Sequence, residues 1–149
     1  MKAKTLKWML NVYPPYLGTG IWIEYVAPDF SEIVVTMKLH WYNSNYVGTH
    51  FGGSLYTMVD PFYMLMMMNI LGKEYLVWDK TARIEFVAPG RGKVTARFTL
   101  TNEHIAEVKK HTADGEKYLP EYIVEVMDEQ KNLVAKVTKQ LYIRKKAKL

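Results

Sequence analysis

The sequence predicts an α+β fold, with a curved antiparallel six-stranded sheet wrapped around one long central helix and a short N-terminal helix in front. Two observations carry this prediction. Apolar and polar residues alternate with a period of two through most of the chain, as half-buried strands require. The one long helical candidate, residues 51–71, is apolar on nearly every side, and a helix without a polar face must be enclosed by protein. Two strands, then the helix, then four strands is an α+β order.

The elements follow along the chain. Residues 1–14 carry early lysines and only a short apolar stretch. They are read as an amphipathic N-terminal helix ending at Pro14-Pro15, not as a signal peptide. Ile21, Ile23 and Tyr25 alternate with Trp22, Glu24 and Val26. After a turn at Pro28-Asp29, Ile33, Val35, Met37, Leu39 and Trp41 alternate with Val34, Thr36, Lys38 and His40. The helix over 51–71 is stopped by Gly72. The third strand sets Leu76, Trp78, Ala82, Ile84 and Phe86 on one face and Asp79, Thr81, Arg83 and Glu85 on the other. Pro89-Gly90 and Gly92 make a turn. Val94, Ala96, Phe98 and Leu100 form the inner face of the fourth strand. A polar helix over roughly 102–111 connects to a last pair of strands, 118–127 and 133–143.

The 149 residues suit one domain over 1–149. Hydrophobic residues at 49% and charged residues at 23% are a globular mixture, not a disordered one. The absence of cysteine excludes disulfides, thiol nucleophiles and thiolate metal sites, and fits a cytoplasmic protein. No apolar run reaches the length of a membrane span, since 58–71 is short and cut by Asp60-Pro61. Lys139, Arg144, Lys145, Lys146 and Lys148 make the C-terminus basic, but a net charge of +5 is too mild to argue for nucleic acid. The histidines show no metal-ligand spacing, and there is no HExxH, Walker loop or GxSxG serine. No metal and no redox cofactor is expected.

The chemistry concentrates in residues 45–60, NYVGTHFGGSLYTMVD. A helix start leaves its first N–H groups without partners, and glycine removes the side chains that would keep a ligand from them. Gly52-Gly53 therefore offers bare donors to an oxyanion or a polarised carbonyl. Glycine used only for its freedom in a tight turn is the alternative. Asp60 stands seven residues after Gly53 on an apolar helix, where a carboxylate is costly unless paired or used. In a continuous helix the two lie on nearly the same face, about 10 Å apart along the axis. That is too far for both to meet one reacting carbon. If they cooperate, Asp60 must meet the glycine pair of a second copy, and the site lies at a subunit seam.

The pattern Asn45-x-x-Gly48-Thr49-x-x-Gly52-Gly53 with Asp60 downstream resembles the hotdog-fold acyl-CoA thioesterases of the phenylacetate-pathway type. YPPYLGTG and VWDK resemble an uncharacterised, thioesterase-related branch of that superfamily. The resemblance implies a hotdog fold and active sites between subunits, in a homodimer or a homotetramer built as a dimer of dimers. It implies that the Gly53 amide polarises a thioester carbonyl, that Asp60 is nucleophile or general base, and that Asn45 helps place the thioester or the water. Coenzyme A enters only as part of the substrate. Phe51 stands where the family usually has histidine, and His50 is one place earlier.

Thr49, His50, Phe51 and Gly52 complete the expected substrate-binding set, together with Asp79, Lys80 and Arg91. Thr49 and Ser54 are candidate caps for the helix. Lys80 shares the parity of an apolar strand face, so it is expected inward beside an acid such as Asp60, or at a β-bulge. Asp79 matches roughly a position where some relatives carry an auxiliary polar side chain. Arg91, Lys93, Lys139 and Arg144 are candidate surface cations for the phosphates of CoA. The methionines at 64 and 66–68 either fill the core or line an acyl tunnel. The rival functions are a non-catalytic acyl-CoA or lipid binder, favoured by Phe51, and then a dehydratase or hydratase.

Overall fold

Seven strands form one antiparallel sheet in the order β1-β2-β4-β6-β7-β3, with β5 pairing β7. The computed structural model describes residues 1–147; Lys148 and Leu149 of the basic tail lie outside the described residues. The strands are β1 (Ile21–Val26), β2 (Glu32–Lys38), β3 (Tyr75–Phe86), β4 (Lys93–Thr99), β5 (Lys117–Tyr118), β6 (Glu121–Met127) and β7 (Leu133–Lys145). The helices are α1 (Ala3–Asn11), α2 (Pro14–Thr19), α3 (Gly52–Thr57), α4 (Phe62–Leu71) and α5 (Asn102–His111).

The inner face of the sheet buries Ile23, Ile33, Val35, Met37, Phe98, Val137, Leu141 and Ile143 completely or nearly so. Against it lies α4, whose Phe62, Met66 and Met67 are fully buried. Phe62 packs on Phe98 with ring centroids 4.9 Å apart and on Tyr16 of α2 at 6.1 Å. Burying a side chain of this size contributes roughly 1.5–3 kcal/mol. One helix gripped by a sheet is the arrangement the alternating sequence predicts.

The central helix is not continuous. It breaks at Met58–Pro61, so 51–71 becomes α3 and α4. Proline has no N–H to close the ladder. Pro61 serves instead as the N-cap of α4, accepting from the N–H of Leu65 at 2.9 Å. The N-terminal helix is likewise two: α1 ends at Asn11, and Pro14-Pro15 begin α2 rather than merely ending a helix, since proline suits the first turn. The sixth expected strand count becomes seven because Leu119-Pro120 interrupts 118–127. The short β5 then continues along the same flank of β7 as β6.

Two β-bulges reverse the expected facing of side chains. The ladder shifts between Ile23 and Tyr25, so Val26 is buried and Tyr25 exposed. Asn11 covers this point, its side chain accepting from Ile23 N–H at 2.8 Å and donating to Ile23 C=O at 3.1 Å. The ladder also shifts between Asp79 and Thr81. Lys80 is the extra residue and is exposed, not inward. The first half of β3 therefore turns Val77 and Asp79 inward, while Trp78 stacks on Tyr142 at 4.1 Å on the other face.

Candidate functional site

The loop before α3 is organised by Asn45. Its Oδ1 accepts from the N–H groups of Val47 (3.1 Å) and Thr49 (3.0 Å), and its Nδ2 donates to Thr49 Oγ1 (2.8 Å). These bonds form an Asx-type turn. Thr49 is consequently buried in the loop, and neither Thr49 nor Ser54 caps α3, whose N-cap is Phe51. His50 ties this loop to the β3–β4 turn. Its backbone N–H donates to Gly90 C=O at 2.9 Å, and its ring Nε2 lies 2.8 Å from Gly92 C=O. Only a protonated Nε2 can donate there, so the neutral ring leaves Nδ1 bare. That atom is buried with no partner among the described residues. Burial holds the His50 imidazole below its ordinary range, partly offset by the bond to Gly92.

Among the described residues the N–H groups of Gly52 and Gly53 have no acceptor. A Cβ on Gly52 would lie 3.0 Å from the ring of Phe86, and one on Gly53 only 2.6 Å from the ring of Phe51. Because α3 has six residues, the dipole behind these donors is that of a short helix. What remains of the sequence argument is the bare donors themselves. Beside them a cavity of about 370 Å³ is lined by Asn45, Thr49, His50, Gly52, Phe86 and Gly90, among others. Arg91 is exposed on the adjoining turn.

Asp60 sits in the break between α3 and α4. It opens into a different cleft, of about 320 Å³, lined by Leu10, Tyr13, Tyr16, Thr57, Pro61 and Leu65 among others. The two cavities share no lining residue. Within one chain, then, the glycine donors and the acid face separate spaces. The helical-face argument that linked them does not survive the helix break.

Asp60 is tethered from behind. Tyr56 Oη donates to its Oδ1 at 2.8 Å, and Lys139 Nζ donates to the same oxygen at 3.1 Å. Lys139 is buried, and its Nζ also lies 3.3 Å from Tyr56 Oη and 3.1 Å from Asp79 Oδ1. Asp79 and the buried Lys139 thus form an ion pair. Burial works against the Lys139 charge, but Asp79 and Asp60 outweigh it and hold the ammonium above its ordinary range. Burial raises the Asp79 carboxyl despite Lys139, and it raises the Tyr56 hydroxyl, helped by the bond to Asp60.

Lys139 corrects two expectations. It is not a surface cation, and it takes the place beside Asp60 that the inward alternative gave to Lys80. Its signal was legible: Ala135, Val137, Leu141 and Ile143 share its parity and are all buried. Lys93, another candidate cation, pairs with Glu24 at 2.6 Å. Met66 and Met67 fill the core, and neither cleft described above is lined by the methionine run. Among the described residues no cluster of His, Cys, Asp or Glu could hold a metal, and no helix is long and apolar enough to cross a membrane.

Comparison with known structures agrees with this architecture. A Pseudomonas aeruginosa protein of unknown function, described as a probable thioesterase, is 16% identical, with 98% of this chain and 97% of that one covered at a TM-score of 0.85. A thioesterase from Haemophilus influenzae is 16% identical over 97% of this chain and 92% of that one, at a TM-score of 0.70. A mutant of the phenylacetic acid degradation protein PaaI from Thermus thermophilus is 24% identical over 87% and 98%, at a TM-score of 0.61. The fold of this chain is the hotdog fold of these neighbours. No curated protein matches by sequence. The model of one family, described as a domain of unknown function, DUF4442, matches residues 2–143, and the chain belongs to that family.

Proposed function

We propose that this protein hydrolyses an acyl-CoA or a similar thioester at a site completed by a second copy of the chain. The observation that carries this is Asp60: a half-exposed carboxylate standing in a helix break at the edge of a cleft, gripped through one oxygen only. The similarity of the fold to proteins described as thioesterases supports the reaction class. In the proposed step, Gly53 N–H of one protomer stabilises the oxygen of the thioester carbonyl as charge develops on it. Asp60 of the other takes a proton from water as the water oxygen bonds to the carbonyl carbon; the carbon–sulfur bond then breaks and the thiolate takes that proton from Asp60. In the nucleophilic variant Asp60 itself bonds to the carbonyl carbon, the thiolate leaves, and water then hydrolyses the acyl–aspartyl anhydride, freeing the acid and the carboxylate and giving the thiolate its proton. CoA is part of the substrate, and no further cofactor is required.

The dimer has a ready surface. β3 pairs with β7 along one side, and its other side ends the sheet. A twelve-residue open edge is a template for a further strand, and a second copy meeting it would extend the sheet across a homodimer. Two such dimers facing each other would make the tetramer.

A second reading has its own observation. Phe51, at the family's usual histidine, lays its ring against Gly53, which favours an acyl-CoA or lipid binder with the chemistry lost. Assaying a panel of acyl-CoA thioesters with the parent protein and Asp60→Asn separates the two. Hydrolysis predicts turnover falling about a hundredfold or more in the variant with binding retained. Binding without turnover in the parent supports the second reading.

A further inference from the structure

The arrangement behind Asp60 points to a division of labour between its two oxygens. We infer that Lys139, itself held by Asp79, is a positioning residue that orients Asp60 with Oδ1 occupied and Oδ2 left to act. This rests on the proposed role of Asp60 but goes beyond it.

Lys139 occupies an inward position of β7, between Val137 and Leu141, where an apolar residue would pack without cost. Its side chain is 1% exposed, against 51% for Asp60. A buried ammonium is costly unless its donors find acceptors. Here three acceptors surround one Nζ: Asp60 Oδ1, Asp79 Oδ1 and Tyr56 Oη. The Tyr56 ring adds a face, its centroid 5.4 Å from Nζ. Such a network is poorly screened by salt, unlike a surface ion pair.

The three groups do different things. Tyr56 and Lys139 both donate to Oδ1 of Asp60, and among the described residues Oδ2 has no donor. The side chain is thereby fixed at one oxygen while the other keeps its lone pairs. Asp79 touches Lys139 at 3.1 Å and not Asp60, and its charge favours the Lys139 ammonium. The titratable groups that face Asp60 are Tyr56 from α3, Tyr13 and Tyr16 from the α1–α2 turn and α2, Asp79 from β3 and Lys139 from β7. Only Lys139 among them is a cation. Removing Lys139 takes one of two donors from Asp60 Oδ1, and removing the Asp79 charge takes away the anchor on the other side of Lys139.

The test reads Asp60 directly. Carboxyl carbon-13 NMR at one fixed pH follows the Asp60 resonance in protein labelled at aspartate, in the parent, Lys139→Met, Lys139→Arg and Asp79→Asn. The resonance is expected to move in Lys139→Met, where Oδ1 loses a donor, to move less in Asp79→Asn, and to stay near the parent in Lys139→Arg. Where thioester hydrolysis is measurable, kcat drops about tenfold or more in Lys139→Met, with KM little changed and Lys139→Arg restoring most of the loss. An unmoved resonance in folded Lys139→Met overturns the inference. If that variant does not fold, an unmoved resonance in Asp79→Asn overturns it instead. The expected NMR shifts in a protein that turns over no thioester uphold the inference and defeat the hydrolase reading alone.

Discussion

The ring of Phe51 lies 2.6 Å from the point that a Cβ on Gly53 would occupy. The pair constrains Gly53 for a reason local to this chain: a side chain there displaces an exposed aromatic ring that borders the bare N–H. Gly53→Ala is expected to lose about tenfold to a hundredfold in kcat/KM, the scale of a small misplacement near the reacting group. Its stability should not fall, since alanine is the better helix former. In a Phe51→Ala background the same change should be nearly silent, because the collision is gone. Steady-state kinetics and urea unfolding of the three variants check this.

His50 makes the fold sensitive to acid. Burial holds its imidazole below the ordinary histidine value of about 6.5, so the unfolded chain binds this proton more readily than the folded one. The stability it contributes is complete above that value and is lost as pH falls from it toward the folded value. The urea midpoint should drop between pH 7.5 and 5.5, and His50→Gln, which keeps a donor for Gly92, should flatten the drop. An equal drop in both proteins contradicts the assignment.

Gly72 ends α4 at φ 78° and ψ −171°, a conformation that residues with a Cβ avoid. Nothing lies within 4 Å of a Cβ placed there, so the cost of Gly72→Ala is conformational alone. It should destabilise by about 1–3 kcal/mol in urea unfolding and leave kcat/KM unchanged, because both clefts are lined by other residues.

The same contrast between alternation and local interruption decides what the sequence disclosed. Val94, Ala96, Phe98 and Leu100 alternate without a break and are buried as their parity requires. The α5 limits Asn102–His111 match the polar helix expected there, and the structure shows what fixes its start, a capping box of Thr101 and His104. Of the two readings of Lys80 the structure has the bulge and not the inward lysine, because a bulge adds one residue, and one residue exchanges the faces of everything before it. Asp60 stands out in the sequence as the acid in an apolar stretch, but its geometry with Gly53 was not legible. α3 ends at Thr57 and Pro61 caps α4, and the wheel that aligned the two residues does not run through that break. Lys139 was visible as an inward lysine in an apolar alternation, yet its partners come from β3 and α3, far away in sequence.

The central claim is that the donor and the acid come from different copies of the chain. Dimers mixed from Gly53→Val and Asp60→Asn protomers, isolated through two different tags, test it most directly. Each mixed dimer holds one seam with both defects and one seam with neither. The account predicts that mixed dimers hydrolyse thioester while neither parent homodimer does. Mixed dimers as inactive as their parents, from protomers that fold and pair normally, would contradict it.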